Sequence, residues 1–290
     1  MLSISDSDPT DLSLVGEPIS VPGEFPNSVA VSTKHKLVCV SSTGASTGVS
    51  CGHLSKGGVG PFDKLRPIDL GQTTPPAGPA NTITQVLFSE DESVLYTIVK
   101  GNPGTTANTT GFVSAYIVED GSVSSQEIRS RAEGTDILFG TNVIPSTNNL
   151  VLADASFGAA VLSVNPHTHE VSTLARTEID GQSATCWVSY SELTGTAFLT
   201  DALVSRLVEL DVSDGSILSI TEMPDSDVAG MTDLQAVGNF VYALASGNAT
   251  TEAAILVADV SKSPEAGTQV QRVGLAGIAK NSAQGLASLK

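Results

Sequence analysis

Residues 185–201 read TCWVSYSELTGTAFLTD, an apolar strand that ends at Ser191, a short polar hairpin and a second apolar strand. The same phrase occurs five times, with hinge residues Ser32, Ser89, Ser146, Ser191 and Gly238. Successive hinges are 57, 57, 45 and 47 residues apart. Periods of this length are typical of four-stranded propeller blades. The repeat therefore predicts an all-β protein with a β-propeller fold.

Each repeat contains four predicted strands whose character changes along the unit. The first two are almost entirely apolar, the third alternates, and the fourth is polar. This gradient is expected when the inner strands of an antiparallel sheet are buried on both faces and the outer strand meets water. Asp120-Gly121 and Asp214-Gly215 are dipeptides that favour two-residue hairpins. The five complete units span residues 24–71, 83–134, 136–181, 183–227 and 231–277.

Two partial units flank the complete ones. Residues 12–21, LSLVGEPISV, are predicted to form an outer fourth strand, and residues 283–289, AQGLASL, an inner first strand. The two fragments could pair in one shared blade that closes the ring, or the chain could be a truncated larger propeller. We expect residues 1–290 to form a single propeller domain and a monomer.

The chain is strongly acidic, with a formal net charge of −17 from 14 Lys plus Arg and 31 Asp plus Glu. Binding to nucleic acid needs a basic face, and none is visible, so we expect no nucleic-acid partner. No apolar run approaches the ~20 residues of a membrane span. The first residues, MLSISDSDPTDL, contain neither a basic leader nor an apolar stretch, so we expect no signal peptide in this chain.

Three cysteines and two glycosylation sequons bear on the cellular compartment. Cys39 and Cys51 lie on either side of a turn, on strands that we expect to be adjacent, so a disulfide between them is possible. Cys186 lies in an apolar strand and is predicted to be a buried free thiol. The sequons at Asn108 and Asn248 lie in predicted loops and modestly favour secretion.

Four stretches of the sequence resemble the fungal seven-bladed lactonase propellers known as 3-carboxymuconate cyclase-like proteins. These are DPTDLSLVGEPISVPGEFPNSVAVS (8–32), GVSCGHL (48–54), LGQTTPPAGPANTITQVLFSEDES (70–93) and DGQSATCWVSYSELTGTAFLTD (180–201). The resemblance implies that the chain lacks an N-terminal portion of a seven-bladed ring and that the protein is extracellular or at the cell surface. It also implies cofactor-independent chemistry, either cycloisomerisation of a carboxylated muconate or hydrolysis of a sugar lactone.

The resemblance to the cyclases also implies His, Arg and Glu side chains that converge on a central channel. A cation would hold the substrate carboxylates, and an acid–base group would move a proton. The sequence places its histidines in hairpins, in turns or after a third strand, and its arginines on predicted third or fourth strands. We therefore expect no such set on the inner strands. The residues concerned are His35, His53, His167, His169, Arg66, Arg129, Arg131, Arg176, Arg206 and Arg272.

Mostly neutral polar residues are predicted to line the channel instead. They could form a pocket for a carbohydrate-like or lactone ligand with Trp187 as a stacking face. Alternatively, they could satisfy one another and ordered water, and Trp187 could belong to the core. The candidates on first strands and at the ends of second strands are Asn27, Gln85, Asn142, Thr185, Trp187, Asp154, Asp201 and Gln284.

Asp154 and Asp201 end the second strands of consecutive units. As a carboxylate pair they could perform glycosidase chemistry, and with backbone carbonyls they could bind calcium. As a structural repeat they would cap a turn, which is the interpretation we favour. No metal or other cofactor is predicted.

Two functions from different classes remain open. One is a lactone-forming or lactone-hydrolysing enzyme acting on a small carboxylate, lactone or carbohydrate-like ligand. The other is a non-catalytic secreted propeller that acts as a binding or cell-surface glycoprotein.

Overall fold

The structure, a computed structural model, describes residues 1–103, 109–225, 228–248, 250–279 and 283–288. These residues form strands, turns and irregular segments, with no helix among them. Accordingly, no helix of the described residues has the length and apolar character needed to cross a membrane. The chain divides into two compact units, the first made of Met1–Lys100 and Val113–Arg129 and the second of Gly101–Phe112 and Ser130–Lys290. The single-domain assignment stays a prediction.

The N-terminal part contains a two-stranded hairpin and two antiparallel sheets, which lie in the first unit except for Phe112 and Ser130. In each sheet four strands pair in chain order, and a short fifth strand pairs back onto the third. The strands are β1 (Leu2–Ile4), β2 (Leu12–Leu14), β3 (Pro26–Ser32), β4 (Leu37–Ser42), β5 (Gly48–Ser55), β6 (Gly58–Phe62), β7 (Arg66–Pro67), β8 (Ile83–Phe88), β9 (Val94–Val99), β10 (Phe112–Glu119), β11 (Ser122–Val123) and β12 (Ile128–Ser130).

The second unit contains three four-stranded antiparallel sheets, each paired in chain order. The third sheet consists of β13 (Leu138–Val143), β14 (Leu150–Asp154), β15 (Gly158–Val164) and β16 (Val171–Glu178). The fourth consists of β17 (Thr185–Ser191), β18 (Thr196–Asp201), β19 (Arg206–Asp211) and β20 (Ile217–Glu222). The fifth consists of β21 (Asp233–Val237), β22 (Phe240–Ala245), β23 (Ala254–Asp259) and β24 (Thr268–Gly274).

The outer strands of the first two sheets differ from the prediction. In the first sheet the predicted fourth strand at 65–71 is reduced to the two residues of β7, and β6 takes the place beside β5. Gly58 adopts φ 114°, which a side chain disfavours, and lets the chain fold back immediately after β5. In the second sheet the tight Asp120-Gly121 turn also folds the chain back at once, and it places β11 directly beside β10.

The two partial units also differ in extent from the prediction. Of residues 12–21, only Leu12–Leu14 form a strand, which pairs with Leu2–Ile4. Residues 283–288 form no strand. No backbone ladder holds this segment. Side chains in and beside the fifth sheet bind it instead.

Apolar layers lie between consecutive sheets within each unit. In the first unit Leu95 and Tyr116 of the second sheet pack with Leu37 of the first. In the second unit one layer joins the third and fourth sheets, and another joins the fourth and fifth around Phe198 and Met231. Burial of such side chains contributes roughly 25 cal/mol per Å² of apolar surface. This face-to-face packing brings the first strands of neighbouring sheets together, so that β3 lies beside β8, and β13, β17 and β21 follow one another.

Candidate functional site

The predicted polar row begins in the first unit with Asn27 on β3. Its Nδ2 donates a hydrogen bond to the carbonyl of Ile83 at 2.7 Å, and its Oδ1 accepts one from Ser41 Oγ at 3.0 Å. The next residue, Ser28, accepts the backbone N–H of Val86 at 3.1 Å. Both side chains thus join the first strands of adjacent sheets, which pack together without forming a ladder.

The same arrangement recurs in the second unit. Asn142 Oδ1 on β13 accepts the N–H of Tyr190 on β17 at 3.2 Å. Ser189 Oγ on β17 accepts the N–H of Ala236 on β21 at 3.0 Å. Both hydrogen bonds are part-buried, and an intramolecular hydrogen bond typically contributes about 0.5–1.5 kcal/mol, so each of these side chains stabilises the packing of two sheets. The sequence did not single out Ser189, because a serine in an apolar strand carries no chemical signal of its own.

Thr185 and Trp187 are also engaged locally. Thr185 donates both its N–H and its hydroxyl to Gln182 Oε1, at 3.0 and 3.1 Å. Trp187 is partly buried and packs against the apolar layer between the fourth and fifth sheets. Its ring lies so close to Gly140 that a Cβ there would approach Trp187 Cδ2 to 2.6 Å. The indole therefore packs as a core side chain over a glycine.

Two candidates for the polar row remain, one in each unit. Gln85 is half-buried on β8, and Gln284 is exposed in the segment 283–288. Their role in lining a channel stays a prediction.

Asp154 and Asp201 each bind the loop that leads into their own sheet. Asp154, fully buried, accepts the N–H groups of Asp136 and Ile137 at 2.8 and 3.1 Å. It also accepts the N–H and hydroxyl of Ser156. Asp201 is the equivalent residue of the fourth sheet, and its Oδ2 accepts two backbone N–H groups at 2.7 and 3.0 Å. The carboxylates therefore cap loops.

A small cavity of about 10 Å³ adjoins Thr185, Asp201 and Arg206. This volume matches about one water molecule, which needs roughly 10–15 Å³ by the same measure. Thr200 also lines this cavity, and its buried hydroxyl has no hydrogen-bond partner among the residues that the structure describes. The cavity is too small for a lactone ring.

Asp233, which the sequence did not single out, holds the segment 283–288. Its carboxylate accepts the N–H of Leu286 at 2.7 Å and that of Leu234 at 2.7 Å. Ser246 Oγ donates to the carbonyl of Ala283 at 2.8 Å. Burial raises the pKa of Asp233 to about 6, against the lowering effect of these two N–H donors. An Asp at the start of an apolar strand was the signal that could have revealed it.

The described arginines are bound away from the first strands. Arg66 forms a bidentate ion pair with Asp63, and Arg176 stacks on Phe157. The others pair with acidic side chains or donate to backbone carbonyls. These contacts are Arg129 with Glu127, Arg131 with the Thr110 carbonyl, Arg206 with the Asp180 carbonyl, and Arg272 with Asp225.

The histidines are dispersed. His35 Nδ1 accepts the N–H of Gly121 at 3.3 Å, and His53 is exposed on β5. His167 is exposed and His169 half-buried, both in the turn between β15 and β16. Within the described ranges, no three His, Cys, Asp or Glu side chains come together as a metal-binding group.

The structure shows where two of the cysteines pair and where one of the two sequons lies. Cys39 and Cys51 are directly opposite on β4 and β5, with Cα atoms 4.0 Å apart, and form a disulfide. Cys186 is a buried thiol outside any disulfide, and its Sγ donates to the carbonyl of Thr232 at 3.5 Å. Asn248 is exposed, and its Oδ1 accepts the N–H groups of two following residues. Asn108 lies outside the described residues.

Comparison with known proteins gives no match to a family model and none to a curated protein sequence. Solved structures do match. The periplasmic gluconolactonase PpgL of Pseudomonas aeruginosa superimposes with a TM-score of 0.69 at 14% identity, over 94% of this chain and 78% of that one. A candidate 6-phosphogluconolactonase of Bacteroides uniformis gives 0.66 at 15% identity, over 89% and 74%. The nidogen/laminin complex gives 0.61 at 10% identity, over 96% and 90%. Together with the five repeated antiparallel sheets, these likenesses show that the chain has a β-propeller fold of four-stranded blades.

Proposed function

We propose that this chain is a non-catalytic binding propeller of the lactonase kind that acts outside the cell. The observation that carries the proposal is the use of the inner-strand polar groups. Asn27, Ser28, Asn142 and Ser189 bind backbone groups of the neighbouring sheet, and Asp201 caps a loop. A catalytic acid, base or ligand-orienting group must be within reach of substrate, and these groups are committed to the fold.

The extracellular assignment is supported by the disulfide and by the sequon. A disulfide between Cys39 and Cys51, inside the apolar layer of the first unit, persists in oxidising compartments. Asn248 is exposed, as a glycosylation site must be. The family resemblance of the sequence supports the same compartment. A small carboxylate, lactone or carbohydrate-like molecule is the ligand class that this resemblance suggests.

Lactone hydrolysis is the second candidate. It is favoured by the lactonase names of two of the neighbours reported above. At 14–15% identity this likeness supports a shared fold only, and it does not assign the activity of those proteins to this chain. Carboxymuconate cyclisation has less support, because the described arginines lie off the first strands and are bound to acidic side chains or backbone carbonyls.

An assay of purified protein separates these functions. Glucono-δ-lactone, 6-phosphogluconolactone and 3-carboxymuconate are each incubated with the protein, and hydrolysis is followed by acid release or cyclisation by absorbance. We expect rates equal to those of buffer alone. Saturable turnover that Asn142→Ala abolishes and Asn239→Ala preserves would refute the non-catalytic proposal. Asn239 is the matched control because it is exposed in a hairpin, and its backbone carbonyl bonds Val260.

A further inference from the structure

A cavity of about 360 Å³ opens beside the Asp120-Gly121 turn in the first unit. Its floor is apolar and buried, formed by Leu37, Val123 and the half-cystine Cys51. Small-molecule sites range from about 300 to 1,000 Å³, with mostly apolar walls and a few polar groups. The cavity shares no residue with the polar row of the first strands or with the loops capped by Asp154 and Asp201.

Three polar side chains on the rim of this cavity are available to a ligand. They are the imidazole of His53, the carboxylate of Asp120 and the hydroxyl of Ser122, and all three residues are exposed. Among the described residues, none of the three side chains has a hydrogen-bond or ion-pair partner. Each of them can accept a hydrogen bond.

The other charged groups at the cavity neutralise one another. Asp63 lines the cavity, and its carboxylate accepts two hydrogen bonds from Arg66, at 3.0 and 2.7 Å, and the N–H of Cys51 at 2.8 Å. Arg66 is buried and also donates to the carbonyls of Val123 and Ser124. The unpaired formal charge at the rim is therefore the negative charge of Asp120.

The turn that carries Asp120 is fixed before any ligand arrives. Asp120 and Gly121 adopt φ angles of 48° and 73°, the pattern of a type I′ hairpin turn. His35 Nδ1 holds the turn through the N–H of Gly121. A Cβ on Gly121 would lie 3.9 Å from His53 Cε1, so the imidazole stands next to the turn. A preorganised rim lowers the entropic cost of binding.

We propose that this cavity binds a small organic cation, consisting of an ammonium group on a compact apolar body. The apolar body would occupy the floor, and the N–H donors of the ammonium would face the three acceptors of the rim. An ammonium carries three donors and no acceptor, which matches this set. A carboxylate or phosphate ligand would instead face the unpaired charge of Asp120. The acidic chain, at net charge −17, favours a cation further.

Titration of the full chain with phenethylamine, followed by amide chemical shifts in NMR spectra, tests the site. We expect saturable shifts at Cys51, His53, Ser122 and Val123, and no comparable shifts with phenylacetate, which has the same ring and the opposite charge. Asp120→Asn should weaken binding about tenfold through loss of a charge-assisted hydrogen bond. Asn tolerates positive φ, so the variant keeps the turn.

Asp214→Asn is the matched control, because Asp214 occupies the other Asp-Gly hairpin turn, in the fourth sheet. It should bind phenethylamine like the unmodified chain. Three results would each overturn the proposal: no saturable shifts at the named amides, equal or tighter binding of phenylacetate, or unchanged affinity of Asp120→Asn.

Discussion

Asp154 and Asp201 perform the same task in consecutive sheets, since each ends the second strand and accepts the two backbone N–H groups that lead into the first strand. Their equivalence explains why two carboxylates recur at a fixed place in the repeat. Each acts within its own sheet and binds the loop that precedes the first strand of that sheet. When only the sequence is considered, a structural repeat of this kind can be mistaken for a catalytic pair of carboxylates.

Replacement of Asp201 by alanine should lower the free energy of unfolding by about 1–3 kcal/mol, because two backbone N–H groups at a part-buried site lose their acceptor. Urea denaturation measures the loss. Asp259→Ala is the control, since Asp259 caps Ser261 at an exposed turn and its removal should have little effect. Equal stability of the two variants would show that Asp201 does not hold the loop.

The buried carboxylate of Asp233 makes stability depend on pH. Its pKa is raised from 3.8 to about 6 in the folded chain. The folded state therefore binds this proton more tightly than the unfolded state does. The contribution of the protonated carboxyl to the free energy of unfolding is full below pH 3.8 and is lost as pH rises through about 6. The shift corresponds to about 3 kcal/mol.

Asp233→Asn removes this titration. Between pH 4.5 and pH 7.5, the unfolding free energy of the unmodified chain should fall relative to that of the variant by about 2 kcal/mol, the larger part of the full difference of about 3 kcal/mol. Parallel pH profiles for the two proteins would contradict the assignment. The signal of Leu286 in amide exchange reports whether the segment 283–288 is released, because Asp233 accepts its N–H.

Gly140 is required by the ring of Trp187. Alanine at this position would place its Cβ 2.6 Å from Trp187 Cδ2 and should cost about 1–3 kcal/mol through overpacking. Trp187 is the single tryptophan of the chain, so its fluorescence emission reports the displacement directly. Gly57→Ala serves as the control, because the nearest atom to its Cβ would be Ser55 Oγ at 3.7 Å. An unshifted spectrum in Gly140→Ala would contradict the close packing.

Reduction of the disulfide between Cys39 and Cys51 should destabilise the first unit. The bridge closes a short loop of the chain, with a sequence separation of 12 residues. Disulfides typically contribute about 2–4 kcal/mol. Thermal unfolding with and without reductant should therefore give a lower midpoint in the reduced protein. The double variant Cys39→Ala/Cys51→Ala is the control, and its midpoint should not respond to reductant.

The repeat predicted the all-β fold and the order of strands because apolar runs and turn residues are local signals. It did not predict that the outer part of the first two sheets consists of two short strands each, since this depends on single residues such as Gly58 and on the Asp120-Gly121 turn. The inner-strand polar residues were recognised by position. Their partners are backbone groups of another sheet, which no local pattern specifies. Asp233 was missed because its burial arises from tertiary packing.

The central claim is that the inner-strand polar side chains join neighbouring sheets, and the unfolding free energy of Asn142→Ala tests it most directly. Asn142 accepts the N–H of Tyr190 at 3.2 Å, so its loss should lower that free energy by about 1–2 kcal/mol. The exposed Asn239→Ala should be unchanged. Stability of Asn142→Ala equal to that of Asn239→Ala and of the unmodified chain would contradict the account.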